Sequence, residues 1–413
     1  MSKTSIHPER RRRRSTNLVR GGLMRSQFGE TSEALFLCSG FVYDNAAEAE
    51  ARFKGEAEGY VYSRYGNPTV AMFEERMALL EGAEACFATA SGMAAVFAAL
   101  MCQLKAGDHV VSSRSLFGSC YYIVSELLPR YGIETTLVDG PDLDQWRAAL
   151  ATGAKSGKNP RNTVVFFETP SNPMLEIIDL AAVIGLAHEA GASVVVDNVF
   201  STPLLQRPID YGADVVVYSG TKHIDGQGRT LGGAILSTAE FRHDTLLDFV
   251  RHTGPALSPF NAWVMLKGLE TLDLRLEHMC RQAAHLAAVL EGHPLVTRVL
   301  YPELASHPQH ALAMTQMTAG GSVVSFDVAG GKDTAFTVLD SVEVFDISNN
   351  LGDTKSLITH PATTTHRAMG EEARARIGVT DGLIRISAGL EDIDDLTEDL
   401  LLALDTAAKR QAA

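Results

Sequence analysis

Short runs of β-branched and apolar residues recur between about residues 69 and 262, each separated from the next by a helical stretch. The runs are Ala85–Thr89, His109–Ser113, Glu134–Asp139, Thr163–Glu168, Ser193–Asp197, Asp214–Tyr218 and Gly232–Ser237. Some, such as Val194-Val195-Val196, are apolar at successive positions, as strands buried on both faces are. Strands of that kind alternating with helices predict an α/β fold on a doubly wound, mostly parallel sheet. A long helical pattern then covers Trp263–Glu291. After it come strand-like segments at Thr297–Tyr301, Ser322–Val328, Glu343–Ile347 and Leu383–Ser387 and a last helix near Asp392–Lys409. They predict a smaller C-terminal α+β domain. The first ~60 residues carry no core pattern of their own, so they are expected to pack on another domain or subunit. The expected organisation is an N-terminal arm over 1–60, its first part disordered, a large α/β domain over 61–262 and a C-terminal domain over 263–413.

Composition changes this picture little. A chain of 413 residues, 46% of them hydrophobic, can bury a large core. Its formal net charge of −14 argues against a general nucleic-acid surface. The run Arg10–Arg14 has no apolar segment behind it, so it reads as a solvated tail and not as a secretory signal. The five cysteines form no CxxC pair, which points to a reducing cytoplasm and no structural metal. No apolar stretch approaches the length needed to span a membrane.

The candidate chemistry begins at Tyr218-Ser219-Gly220-Thr221-Lys222-His223, where one lysine follows the apolar run Val215-Val216-Val217. Desolvation at the end of a buried strand favours a neutral amine, and a neutral amine can form a Schiff base with an aldehyde cofactor. Lys222 is therefore the candidate anchor for pyridoxal 5'-phosphate. A second apolar strand ends in Asp197, 25 residues earlier. Ligands of open α/β sheets sit at the carboxyl ends of strands, and a carboxylate there can keep a pyridine nitrogen protonated so that the ring accepts electrons. The stretch Ala90-Ser91-Gly92-Met93-Ala94-Ala95 reads as a strand end opening into a helix, whose N-terminus favours a phosphate. Ser219 and Thr221 offer hydroxyls to the same anion.

Ordered motifs extend this pattern along the chain: Tyr62-Ser63-Arg64-Tyr65-Gly66-Asn67-Pro68-Thr69, Ser91-Gly92-Met93, Glu168-Thr169-Pro170-Ser171-Asn172-Pro173, Asp197-Asn198, Ser219-Gly220-Thr221-Lys222, His360-Pro361-Ala362 and Arg385-Ile386-Ser387-Ala388-Gly389-Leu390-Glu391-Asp392. From about Leu18 to the last helix, the chain resembles the pyridoxal phosphate enzymes of cysteine and methionine metabolism. The resemblance implies an aspartate-aminotransferase-like fold (fold type I), with the cofactor held in the large domain. It implies that Lys222 anchors the cofactor and shuttles protons, and that Asp197 pairs with the ring nitrogen. Gly92, Met93, Ser219 and Thr221 would hold the phosphate, with Tyr62 and Arg64 reaching it from a neighbouring subunit. Phe117 would stack on the ring, Asn172 would contact its phenolic side, and Arg385, with Asn172 and Asn350 near it, would take the substrate α-carboxylate. Active sites shared in this way imply a homo-oligomer, expected to be a tetramer.

Departures from the family pattern narrow the reaction. Phe117-Gly118 stands where many relatives have a ring-stacking tyrosine; phenylalanine stacks but donates no proton, which suits a leaving group that is a stable carboxylate. Tyr121 and Tyr122 are the alternative donors. Asn349 stands in place of a glutamate that favours cysteine-derived substrates, which points to a small nucleophile such as sulfide. Ser119 replaces the reactive cysteine of the methionine γ-lyases. Tyr65 replaces an arginine and leaves recognition of the acyl group unassigned. The expectation is a γ-replacement in methionine biosynthesis: sulfide displaces succinate from a succinylated homoserine to give homocysteine. The competing readings are cysteine as nucleophile, an acetyl ester, γ-elimination to ammonia and a 2-oxo acid, and a non-catalytic protein that only binds the cofactor.

Overall fold

The computed structural model describes residues 12–153 and 162–412. Part of the expected disordered leader, residues 1–11, lies outside that range; from Arg14 the chain is helical, in α1 (Arg14–Arg20), whose Leu18 is buried. The arm holds a second helix, α2 (Ala46–Lys54), opened by the Asn45 side chain accepting from Glu48 N. The chain forms two compact units. One comprises the chain up to Gln103 with Val217–Asp225 and Arg229–Asp273; the other comprises Leu104–Val216, Gly226–Gly228 and Leu274–Ala413.

Strands of the main sheet are β1 (Ala85–Thr89), β2 (His109–Ser113), β3 (Glu134–Val138), β4 (Thr163–Glu168), β5 (Ser193–Asp197), β6 (Val215–Ser219) and β7 (Gly233–Ser237), in the order β1-β7-β6-β5-β4-β2-β3. The β6 strand begins in the second unit and ends in the first. In the second unit β5, β4, β2 and β3 run parallel, with Glu168 in register with Asp197. Every residue of β4 is buried, as its unbroken apolar run requires. In the first unit β1 and β7 pair antiparallel, Thr89 facing Gly233.

Two further helices of the first unit shape its surface around the lysine turn and the arm. The first, α3 (Pro68–Glu81), starts with Pro68 at its first turn and Asn67 accepting from Thr69 N. The second, α4 (Gly92–Met101), is capped by Ser91, whose Oγ accepts from Ala94 N. The arm is fastened to α3 by an ion pair in which both partners are almost fully buried, Arg76 Nη2 to Glu33 Oε1 at 2.6 Å. Lys267 reaches the second oxygen of Glu33.

The second unit also holds a smaller sheet of β8 (Val296–Leu300), β9 (Val323–Val328), β10 (Asp346–Ile347), β11 (Leu357–Thr359) and β12 (Leu383–Ser387), ordered β10-β11-β12-β9-β8. Its core joins Phe326, Ile358, Ile384 and Ile386 to Leu400 and Leu404 of the last helix, Ile393–Ala412. Two local expectations need correction, and one strand was not expected at all. The long helical pattern is two helices, Pro259–Leu269 and Leu272–Glu291. Only Asp346–Ile347 of the Glu343–Ile347 segment is strand, and β11 carries no run long enough to announce itself.

Candidate active site

In the first unit the lysine turn closes on itself. Gly220 N donates to Gly232 O at 2.8 Å, and Asp225 N to Gly220 O at 2.9 Å. Thr221 Oγ1 lies 3.3 Å from Gly232 N, which donates to it. Lys222 is half-buried at the crest. The N-terminus of α4 is pressed against this turn. A Cβ at Gly92 would stand 2.6 Å from Ser219 Cβ, so only glycine permits the approach. The structure thus brings Ser219 and Gly92 together, with Met93 the next residue of α4 and Thr221 two residues beyond Ser219. A small-residue turn against the positive end of a ten-residue helix suits a phosphate.

Tyr62 and Arg64 lie on the arm of the same unit. Ser63 N donates to Ser39 O at 2.9 Å, and Gly40 bridges to Tyr62, which stays exposed. Arg64 lies over the rings of Tyr62 and Tyr65, 5.5 and 4.7 Å from their centroids. Its Nη1 donates to the carbonyl of Arg251.

The second unit gathers Asp197, Asn172, Phe117, Arg385 and Asn350. Asp197 and Glu168 end adjacent parallel strands, and both side chains are buried. Burial pushes the Asp197 carboxyl up to about 7 against a hydrogen bond from Val199 N. Glu168 is pushed well above the usual carboxylate range, first by burial and then by the Asp197 charge. Two buried like charges side by side are unfavourable, so the two carboxyls titrate as a coupled pair, both held above the usual carboxylate range. Glu168 Oε2 accepts from Phe117 N at 2.9 Å, and the Asn172 backbone also donates to this carboxyl. Asn172 Oδ1 accepts from Arg385 Nη1 at 2.9 Å. Arg385 Nη2 donates to the carbonyls of Asn349 and Asn350 at 2.9 and 3.0 Å. That leaves Arg385 Nε buried without a hydrogen-bond partner, in a guanidinium whose pKa burial draws down to about 10 despite Glu168. An orphaned N–H on an arginine held by carbonyls is a donor waiting for an anion.

Two residues of this cluster escaped the sequence reading. Glu168 is one; the signal was present, since it ends an apolar strand as Asp197 does. His366 is the other, and a histidine in the run Thr363-Thr364-Thr365 gives no sign of it. It is fully buried, with Nε2 3.0 Å from Asn172 O and Nδ1 2.8 Å from Thr365 Oγ1. Burial and Arg385 draw its pKa down to about 4, so the ring is neutral near pH 7. A carbonyl only accepts, so Nε2 carries the proton and the Thr365 hydroxyl donates to Nδ1. The Phe117 loop is held from its far side too: a Cβ at Gly118 would stand 2.4 Å from Thr365 O. Of the alternative proton donors, Tyr122 is exposed with Arg130 over its ring, and Tyr121 lines a separate cavity with Arg114 and Glu371.

The family model for Cys/Met metabolism PLP-dependent enzymes matches residues 15–405. The chain is 60% identical over 392 residues to O-succinylhomoserine sulfhydrylase of Mycobacterium tuberculosis, covering 94% of each chain. It is 49% identical over 389 residues to O-succinylhomoserine sulfhydrylase of Pseudomonas aeruginosa, again covering 94% of each. Among solved structures it resembles cystathionine γ-synthase of Xanthomonas oryzae pv. oryzae in complex with aminoacrylate and cysteine. The TM-score is 0.90 at 36% identity, covering 96% of this chain and 99% of that one.

Proposed function

Because the chain belongs to the Cys/Met metabolism PLP-dependent enzymes, we propose that it replaces the γ-acyloxy group of O-succinylhomoserine with sulfide, producing homocysteine and succinate in methionine biosynthesis. What carries this reading is the near-full-length similarity to two proteins that bear the name of that activity. Pyridoxal phosphate, when bound, supplies an aldehyde that condenses with amino groups and a ring that accepts electron density from the substrate. The residues present fit it. Gly92, Met93, Ser219 and Thr221 would hold the phosphate, Lys222 the aldehyde carbon, and Asp197 the ring nitrogen. A cationic nitrogen beside Asp197 would draw that carboxyl down from about 7 and keep it ionised. Phe117 would cover the ring face and Asn172 its phenolic edge.

The chain's own residues account for the rest. Arg385 is the α-carboxylate site, because its Nε is the unsatisfied donor of a guanidinium fixed at both Nη atoms. The Lys222 amine takes the proton from Cα and returns protons along the carbon chain. Phe117 offers no proton to a leaving group, and succinate, the anion of an ordinary carboxylic acid, leaves without one. Asn349 presents no charge to a nucleophile's distal amino group, which suits sulfide. Tyr62 and Arg64 act in a neighbouring copy's site. The assembly is a homo-oligomer, a tetramer, working in the cytoplasm.

The test is product identification. The purified enzyme is given O-succinylhomoserine with sulfide, with cysteine and with neither, and O-acetylhomoserine in parallel. Homocysteine and succinate as the dominant products support the reading. Cystathionine as the main product, or ammonia with a 2-oxo acid whether or not sulfide is present, overturns it.

A further inference from the structure

Arg64 and Arg251 form a pair of like charges around one ring. Their guanidinium carbons lie 4.7 and 5.5 Å from the Tyr65 centroid. Arg64 Nη1 donates to the Arg251 carbonyl, which ties the two positions together. Among the described residues neither guanidinium has a carboxylate partner, and Arg251 Nε is buried with no hydrogen-bond partner. Arg251 and Tyr65 line a cavity of about 490 Å³, with Arg52, Tyr60 and Val61 in the same wall and the exposed Glu56 and Glu58 also lining it. The Tyr65 face attracts both cations but satisfies none of their N–H groups. Two neighbouring guanidinium groups with an unmet donor are a site for an anion. Arg251 lies at the end of the helix Leu247–Thr253, and four residues on, Pro255 O accepts from Ala90 N at 2.8 Å, beside the turn assigned to phosphate.

We propose that Arg251 binds the distal carboxylate of the substrate's acyl group and so selects a dicarboxylic half-ester over an acetyl ester. This rests on the proposed function, in which the Tyr62–Arg64 segment of one copy serves the active site of another. Arg251 is coupled to Arg64, so it enters that site with it. Tyr65 lies against this guanidinium, and a guanidinium can give two parallel donors to a carboxylate. An acetyl group has no second carboxylate to meet them. This assigns the acyl recognition that the sequence leaves open.

The experiment compares holoenzyme of wild type with R251Q and R251K on O-succinylhomoserine and O-acetylhomoserine, with sulfide saturating. In R251Q the ratio of kcat/KM for the succinyl ester to that for the acetyl ester should fall about tenfold or more, mainly through KM, with partial recovery in R251K. Binding of succinate alone, followed by calorimetry, should weaken by a similar factor in R251Q. An unchanged ratio with unchanged succinate affinity overturns the proposal. So does an equal loss on both esters with a weakened grip on the cofactor, because Arg251 would then only support Arg64. If R251Q does not fold, the R251K ratio and its succinate affinity decide on the same terms. A wild type that does not turn over the succinyl ester refutes the proposed function itself, whereas a wild type that does, with a ratio indifferent to Arg251, refutes only this assignment.

Discussion

Asp197 contributes a pH dependence to the stability of the second unit. The unfolded chain gives up the Asp197 proton near its ordinary value of 3.8, whereas the folded protein holds it to about 7. Stability from this group is therefore present below about pH 4 and is lost as pH rises to about 7. In cofactor-free protein, wild type should lose melting temperature relative to D197N between pH 5 and 7, measured by calorimetry. Saturating cofactor should flatten that difference. His366 works with the opposite sign, since its folded pKa of about 4 lies below the ordinary 6.5. Its stabilising contribution is present above pH 6.5 and is lost on acidification towards pH 4, so the advantage of wild type over H366Q should shrink over that interval. A Lys222→Ala enzyme should lose turnover and the visible absorbance of bound cofactor. Retained activity in that variant would refute the anchor assignment.

Between elements, close approach matters more than composition. Helix α4 can meet β6 only because residue 92 has no side chain; an alanine there must push the helix end away from Ser219 by several tenths of an ångström or more. G92A should bind cofactor about tenfold more weakly in a fluorescence titration while its circular dichroism stays unchanged. The Arg76–Glu33 pair, which fastens the arm to α3, is buried at both ends. Removing one partner strands a buried charge, so E33A should cost about 3–5 kcal/mol in denaturant unfolding. Much of this level was legible in advance. The runs at 85–89, 109–113, 163–168, 193–197 and 383–387 became strands with those bounds, because period and β-branching are local properties. The predicted segment 343–347 narrowed to the two-residue β10 and the three-residue β11 went unseen, because their pairing partners, more than their own sequences, make them strands.

For the molecule as a whole, the arm exposes large apolar side chains: Phe28, Leu37, Val42 and Phe53 are each at least 67% accessible in the isolated chain. These are side chains that the contact between copies proposed above would be expected to cover. Sharing of active sites can be tested directly. K222A and R64A chains, each inactive as a homo-oligomer, should recover activity when mixed and refolded together. Random pairing gives about a quarter of the wild-type level, since half the pairs are hybrids with one intact site each. No recovery after proven subunit exchange would mean that each copy completes its own site.

By itself the sequence determined the fold class, the strands that end in Asp197 and in the Lys222 turn, the capped helix at Gly92 and the buried arginine at 385. Each of these is written in a short window of periodicity, caps and residue type. Only the tertiary structure decided that Glu168 stands beside Asp197, that a neutral His366 braces the Asn172 loop, and that Arg251 shares the Tyr65 ring with Arg64. Those pairings join positions from 29 to nearly 200 residues apart. No local pattern encodes them, because burial and charge at such sites depend on which distant surfaces the folded chain presses together.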